Sequence, residues 1–183
     1  IHSDKVPSTV GSDAAVGMNQ CFDIAKEKIG KDEFNKAMKL ASSSAAGGLR
    51  MAVIGLTKSL SLMAGEAAAL GAGAKVVANY MGNLTEENIR ELENSSAEIL
   101  LFGGGYEHGN QTMVLHNATM IAESTLRIPI IYCGNSDVAS DIRRMMLSRK
   151  NQCFIVENMI PKLGEMNVEP VQEVIRNLFL QRI

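Results

Sequence analysis

The sequence predicts an α/β fold built on a doubly wound, mostly parallel sheet, and three observations carry that expectation. Short apolar runs recur at residues 75–80, 98–102, 128–132 and 153–156. Segments of helical periodicity alternate with them. The runs are apolar on both faces, which marks strands covered by helices on each side. Right-handed crossovers then give a Rossmann-like or flavodoxin-like layer sandwich over residues 60–183. Residues 1–59 read as an N-terminal extension, a helix plus a hairpin, packed on that core.

The elements follow in chain order. Residues 1–11 carry Pro7, Gly11 and short polar side chains and read as an irregular lead-in. Ser12 or Asp13 caps a helix that reaches Ile29 and stops at Gly30. A polar linker over 31–35 precedes a strand over 37–41 and a small-residue loop over 42–48. A second strand over 49–56 completes the hairpin. Residues 61–70 are alanine-rich and helical, closed by Gly71 and Gly73. Thr85 caps the next helix, with Glu86 and Glu87 in its positive first turn. Val114, Leu115, Ala118, Ile121 and Ala122 fall at helical spacing within 110–126. Ser136 caps a helix to residue 147, and Pro170 starts a terminal helix to residue 182.

A chain of 183 residues suits a single domain with a sizeable core. Its 18 basic and 20 acidic residues leave a net charge of −2, no electrostatic footprint for nucleic acid or an anionic membrane. With no Trp and 4% aromatic residues, base-stacking surfaces and carbohydrate clefts are disfavoured. Cys21, Cys133 and Cys153 are odd in number and lack CxxC spacing, so reduced thiols and cytoplasmic residence are expected. No apolar run reaches the roughly 18 residues of a membrane span, because Arg50, Lys58, Glu66 and Lys75 interrupt the richest stretch. The chain opens on Ile1 rather than Met, which reads as an internal piece of something longer.

Ligands in such sheets sit outside the carboxyl ends of the strands. Three of those ends carry Gly with Asn or Ser: Asn79, Tyr80, Met81, Gly82 and Asn83; then Gly103, Gly104, Gly105, Tyr106, Glu107, His108, Gly109 and Asn110; and Cys133, Gly134, Asn135 and Ser136. The three consecutive glycines admit a close backbone or a phosphate, with the helix N-terminus at Asn110 adding positive dipole. They serve equally well as a simple turn. Neither GxGxxG nor GxxxxGK[ST] is present. Ser43, Ser44, Gly47 and Gly48, with Arg50 as a fixed charge, form a second candidate for a phosphate or another chain, or an ordinary hairpin loop. His108, beside Glu107, is the better functional histidine, while His116 reads as structural. The basic cluster Arg143, Arg144, Arg149 and Lys150 reads as a solvated helix end. No HExxH, GxSxG elbow or nucleophile–base pair is found, so no catalytic residue and no metal ligand is assigned.

Three segments together, LASSSAAGGLRM at 40–51, AAALGAGAKV at 67–76 and LHNA at 115–118, resemble the MutL (also GlmL) family. Its members are encoded beside adenosylcobalamin-dependent glutamate mutase and related aminomutases and are distinct from the DNA mismatch-repair protein of the same name. The resemblance implies a chaperone-like reactivating factor that releases inactive cobalamin from the mutase in an ATP-linked cycle. Mutase subunits are then the partners, ATP and magnesium the implied cofactors of the full-length protein, and cobalamin is reached through the mutase. The family's phosphate-handling Asp-x-Gly-Ser-Thr-x-Thr-Lys is absent, so ATPase activity is expected of the full-length protein alone. Under the resemblance, the loop of Ser43, Gly47, Gly48 and Arg50 becomes the first place to look for a contact. The alternative is a cobalamin- or small-ligand-binding module using the 103–110 crevice. There, Glu107, His108, Gly109 and Asn110 lack the Asp-x-His-x-x-Gly spacing of known cobalt-ligating loops.

Overall fold

The computed structural model describes residues 3–7, 14–39, 48–56 and 60–181. The chain divides into two compact units, Ile1–Ser44 with Phe179–Ile183, and Ala45–Leu178. The first unit holds α1 (Ala14–Ile29) and α2 (Lys31–Lys36). Gly30 separates them at φ 86°, a left-handed conformation that glycine adopts without steric cost. Phe22 meets Phe34 edge-to-face at 5.5 Å, and Lys39 lies 4.5 Å above the Phe34 ring. The expected polar linker is therefore a helix. Asp32 and Glu33 favour its positive first turn, and Phe34 is its buried anchor. Ala37, Met38 and Lys39 form no strand, and the rest of the expected 37–41 strand lies outside the described residues.

The second unit is a five-stranded, all-parallel sheet in the order β2-β1-β3-β4-β5. Its strands are β1 (Leu49–Gly55), β2 (Ala74–Met81), β3 (Ile99–Phe102), β4 (Ile130–Tyr132) and β5 (Cys153–Ile155). The expected hairpin is overturned, because both sheet neighbours of β1 are parallel to it. Met51, Ala52, Val53 and Ile54 are at most 1% exposed, and such a doubly buried run belongs inside a parallel sheet. The boundary shifts accordingly: β1, read as part of a 1–59 extension, belongs to the Ala45–Leu178 unit. This strand order is the flavodoxin-like one, whose ligand crevice lies at the β1/β3 switch point.

Helices complete the layers. In α3 (Leu60–Ala72), buried Ala64 and Ala68 and the close approach of Gly65 to Val53 bring the helix tightly onto the sheet. α4 (Glu86–Glu93) starts with a reciprocal capping box between Thr85 and Asn88. α5 (Gln111–Glu123) is capped by Asn110, whose side chain accepts from Met113 N at 3.0 Å. α6 (Ala139–Ser148) is preceded by a 3-10 turn, Ser136–Val138. The cap of that turn is Asn135 rather than the expected Ser136, because the Ser136 hydroxyl is held elsewhere. α7 (Glu169–Leu180) buries Val171, Ile175 and Leu178. Phe102 and Tyr132 pack edge-to-face at 5.3 Å in the core, directly beneath the carboxyl edge of β3 and β4.

Candidate functional site

The glycine run after β3 turns toward the chain's own backbone. Gly103 N donates to Ile54 O at 2.8 Å, tying the end of β3 to β1. A side chain at Gly104 would put its Cβ 2.5 Å from the Tyr132 hydroxyl, and one at Gly134 would strike the Gly104 backbone. Gly105 turns the chain at φ 74° against Leu56. Of the two expectations for Gly103, Gly104 and Gly105, close approach by another backbone is realised, by Gly134. Glu107 N donates to Pro161 O, His108 N to Asn135 Oδ1 and Gly109 N to Tyr106 O, so these amides are already in use. Two carboxylates flank the loop as well.

What the glycines permit is a braced polar crest. Asn135 is wholly buried and is its hub, accepting from Asp137 N at 3.0 Å and from His108 N at 3.3 Å through one oxygen. The buried Tyr132 hydroxyl donates to Asn135 O at 2.8 Å. Burial pushes this phenol well above its ordinary value, so it acts as a fixed donor. Glu107 Oε2 accepts from Ser136 Oγ at 2.6 Å and Ser136 N at 3.0 Å. Burial alone would raise the Glu107 carboxyl, but the Ser136 hydroxyl and amide, Asn158 and the charge of His108 together hold it below the ordinary carboxylate value. Asn158 Nδ2 donates to Gly105 O at 3.0 Å, which ties in the loop after β5. His108 Nδ1 lies 3.1 Å from both Asp137 oxygens, and Gln111 Nε2 donates to Asp137 Oδ2 at 3.0 Å.

The crest thus joins Gly103, Gly104, Gly105 and His108 with residues the sequence reading did not assign: Glu107, Asn135, Ser136, Asp137 and Asn158. Asn135 and Ser136 carried a signal, as polar residues directly after a strand. Asp137 carried none, because its partner lies 29 positions away. Asn110 stands beside the crest as the α5 cap and lines a shallow cavity of about 250 Å³ with Asn83, Thr112, Met113 and His116. His116 is structural, donating Nε2–H to Leu84 O at 3.0 Å. Burial pushes the Cys133 thiol up to about 12, so it is no nucleophile at neutral pH.

The other candidates lie at the opposite, amino edge of the sheet. Arg50 Nε donates to Ser96 O at 2.7 Å, its guanidinium pairs with Glu98 at 3.4 Å, and its backbone N donates to the same carboxylate at 3.0 Å. Gly48, at φ 57°, leaves no room for a side chain under Gly73 O. Both close the strand starts. Ser43, Ser44 and Gly47 lie outside the described residues.

Comparisons with known proteins add a family to this geometry. The family model described as MutL protein matches residues 1–183. Protein MutL of Clostridium tetanomorphum is 40% identical over 176 residues, covering 96% of this chain and 38% of its own length. The chain therefore spans well under half of the curated relative it matches. Among solved structures, a short-chain flavodoxin associated with a non-canonical PDU bacterial microcompartment aligns with a TM-score of 0.48 and 10% identity. That alignment covers 73% of this chain and 98% of the flavodoxin. A 5'-methylthioadenosine/S-adenosyl homocysteine nucleosidase from Campylobacter jejuni aligns with a TM-score of 0.24 and 13% identity, over 74% of this chain and 95% of that one.

Proposed function

Since this chain belongs to the MutL protein family, we propose that it is the mutase-recognising part of a chaperone-like reactivating factor for an adenosylcobalamin-dependent mutase of the glutamate mutase type. The observation that carries the reading is the family match over the whole chain, together with 40% identity to a MutL protein over 96% of this chain. The carboxyl edge supports it physically. Its loops are hydrogen-bonded to one another across β3, β4 and β5, so the crest presents a partner with one braced surface. The crest is exposed at His108, where a macromolecule can reach it.

In this reading the ATP-linked step belongs to the longer protein, and this unit transmits the resulting movement to the mutase. The carboxylates of Glu107 and Asp137 disfavour an anion at the crest, and the amides of Glu107, His108 and Gly109 are satisfied internally. The experiment is recovery of a mutase inactivated by damaged coenzyme. Full-length family protein with ATP restores activity, and an excess of this chain suppresses the restoration by competing for the mutase. Equal recovery with and without the full-length protein would remove the proposal.

A further inference from the structure

The loop between β5 and α7 is rooted in the core and tipped with apolar side chains. Met159 and Ile160, at 1% and 6% exposure, anchor its start. Met159 N donates to Cys133 O and Ile160 N to Asn158 Oδ1, and Asn167 N returns to Met159 O at 2.9 Å, closing the neck. Pro161 O accepts from Glu107 N, so the loop is joined to the crest. Beyond the neck, Lys162, Leu163, Gly164 and Glu165 make a tight turn. Glu165 N donates to Lys162 O at 3.1 Å, and Gly164, at φ 80°, takes the left-handed third position of a type II turn. The Lys162 ammonium reaches the Glu165 carboxylate at 2.8 Å and clasps the same turn a second time.

Leu163 holds the second position of that turn, 78% exposed, and Met166 follows at 49%. Apolar residues scattered singly over a surface are ordinary. Here two stand within four residues of each other on a loop whose root is fixed, at a tip where short polar residues are the usual occupants. A backbone fixed beforehand loses less entropy on binding. The unbranched Met166 thioether adapts to an irregular hollow. A four-residue turn encloses no small molecule; it enters a hollow on another protein.

Charge narrows the choice of partner. Glu107 stands at one side of the neck, through Pro161, and Glu157 at the other, accepting from Asn167 Nδ2 at 3.1 Å. Lys162 is engaged by Glu165, so carboxylates prevail around the tip. They repel an anionic lipid surface and favour a hollow rimmed by Lys or Arg. We infer that Leu163 and Met166 are the apolar anchor by which this chain grips the mutase, seated in an apolar, basic-rimmed hollow of a mutase subunit. The mutase as occupant rests on the proposed function; the apolar tip and its acidic surround do not.

Binding of mutase subunits to the immobilised chain, at low and at high salt, tests this. Leu163→Ser should weaken capture roughly 10-fold, and Leu163→Ser with Met166→Ser further still, both with circular dichroism unchanged. Leu163→Met should keep most of the affinity. Leu147→Ser, which removes another exposed leucine on α6, should change nothing. Glu157→Gln should weaken capture about 2-fold at low salt and leave it unaltered at high salt. Wild-type capture that both tip variants match overturns this inference and leaves the reactivation reading standing. Absence of capture by the folded wild-type chain overturns it too, and mutase recovery then decides separately whether the reactivation reading survives. Two further results would give the tip another occupant and overturn the assignment. One is a wild-type dimer in sedimentation that Leu163→Ser dissolves. The other is full-length family protein with Leu163→Ser that keeps mutase capture but melts at a lower temperature.

Discussion

The two edges of the sheet use polar side chains in opposite ways. At the amino edge, Arg50, Glu98 and the Ser96 carbonyl close on one another and bind β1 to the segment entering β3. At the carboxyl edge, Glu107, Ser136, Asn135, Asp137 and Asn158 also bind one another, but the network ends on an imidazole facing solvent. Charge at the first edge completes the fold, whereas charge at the second is arranged around an outward group.

Perturbing each edge in turn sharpens that contrast. The largest effect is expected at the crest's foundation. Gly104→Val drives a branched side chain into Tyr132 and Gly134, costing about 3 kcal/mol or more in urea unfolding and dispersing the crest. Arg50→Ala should cost about 1 kcal/mol or less, because its ion pair is half-exposed, and it should leave mutase capture unchanged. Lys150 occupies the left-handed position ending α6 at φ 61°, with Lys150 N bonded to Leu147 O and Asn151 N to Met146 O. Lys150→Gly should therefore stabilise by about 0.5–1 kcal/mol, a rise of roughly 1–4 °C in Tm.

The smallest effect is one of pH. The folded Glu107 carboxyl lies below its ordinary value, so its ionised form contributes stability above that value and loses it as pH falls through the folded pKa. Wild type should exceed Glu107→Gln in stability at neutral pH, with the gap shrinking once pH drops below about 4.5. A gap that is constant across the acid range would show that Ser136 does not hold the carboxylate.

The alternation of strands and helices was readable because buried parallel strands are apolar throughout, as at 99–102 and 130–132. β1 carried the same signature at Met51, Ala52, Val53 and Ile54, but the small-residue loop before it imitated a hairpin turn. α2 escaped because six residues with one buried side chain show no helical period. At the site, the glycines and His108 stood out as residue types, and Asn110 as the start of a helix. What they do depended on pairings across about 30 positions, His108 with Asp137 and Glu107 with Ser136, which local pattern does not encode.

The measurement that bears most directly on the carboxyl edge as the functional face is capture of mutase subunits by this chain. It would compare wild type, His108→Ala with Asp137→Asn, and Arg50→Ala, each shown to be folded. Preferential capture of coenzyme-damaged mutase by wild type and Arg50→Ala, with several-fold loss in the crest variant, is the predicted result. Loss of capture in Arg50→Ala with the crest variant unaffected would contradict the account and move recognition to the amino edge.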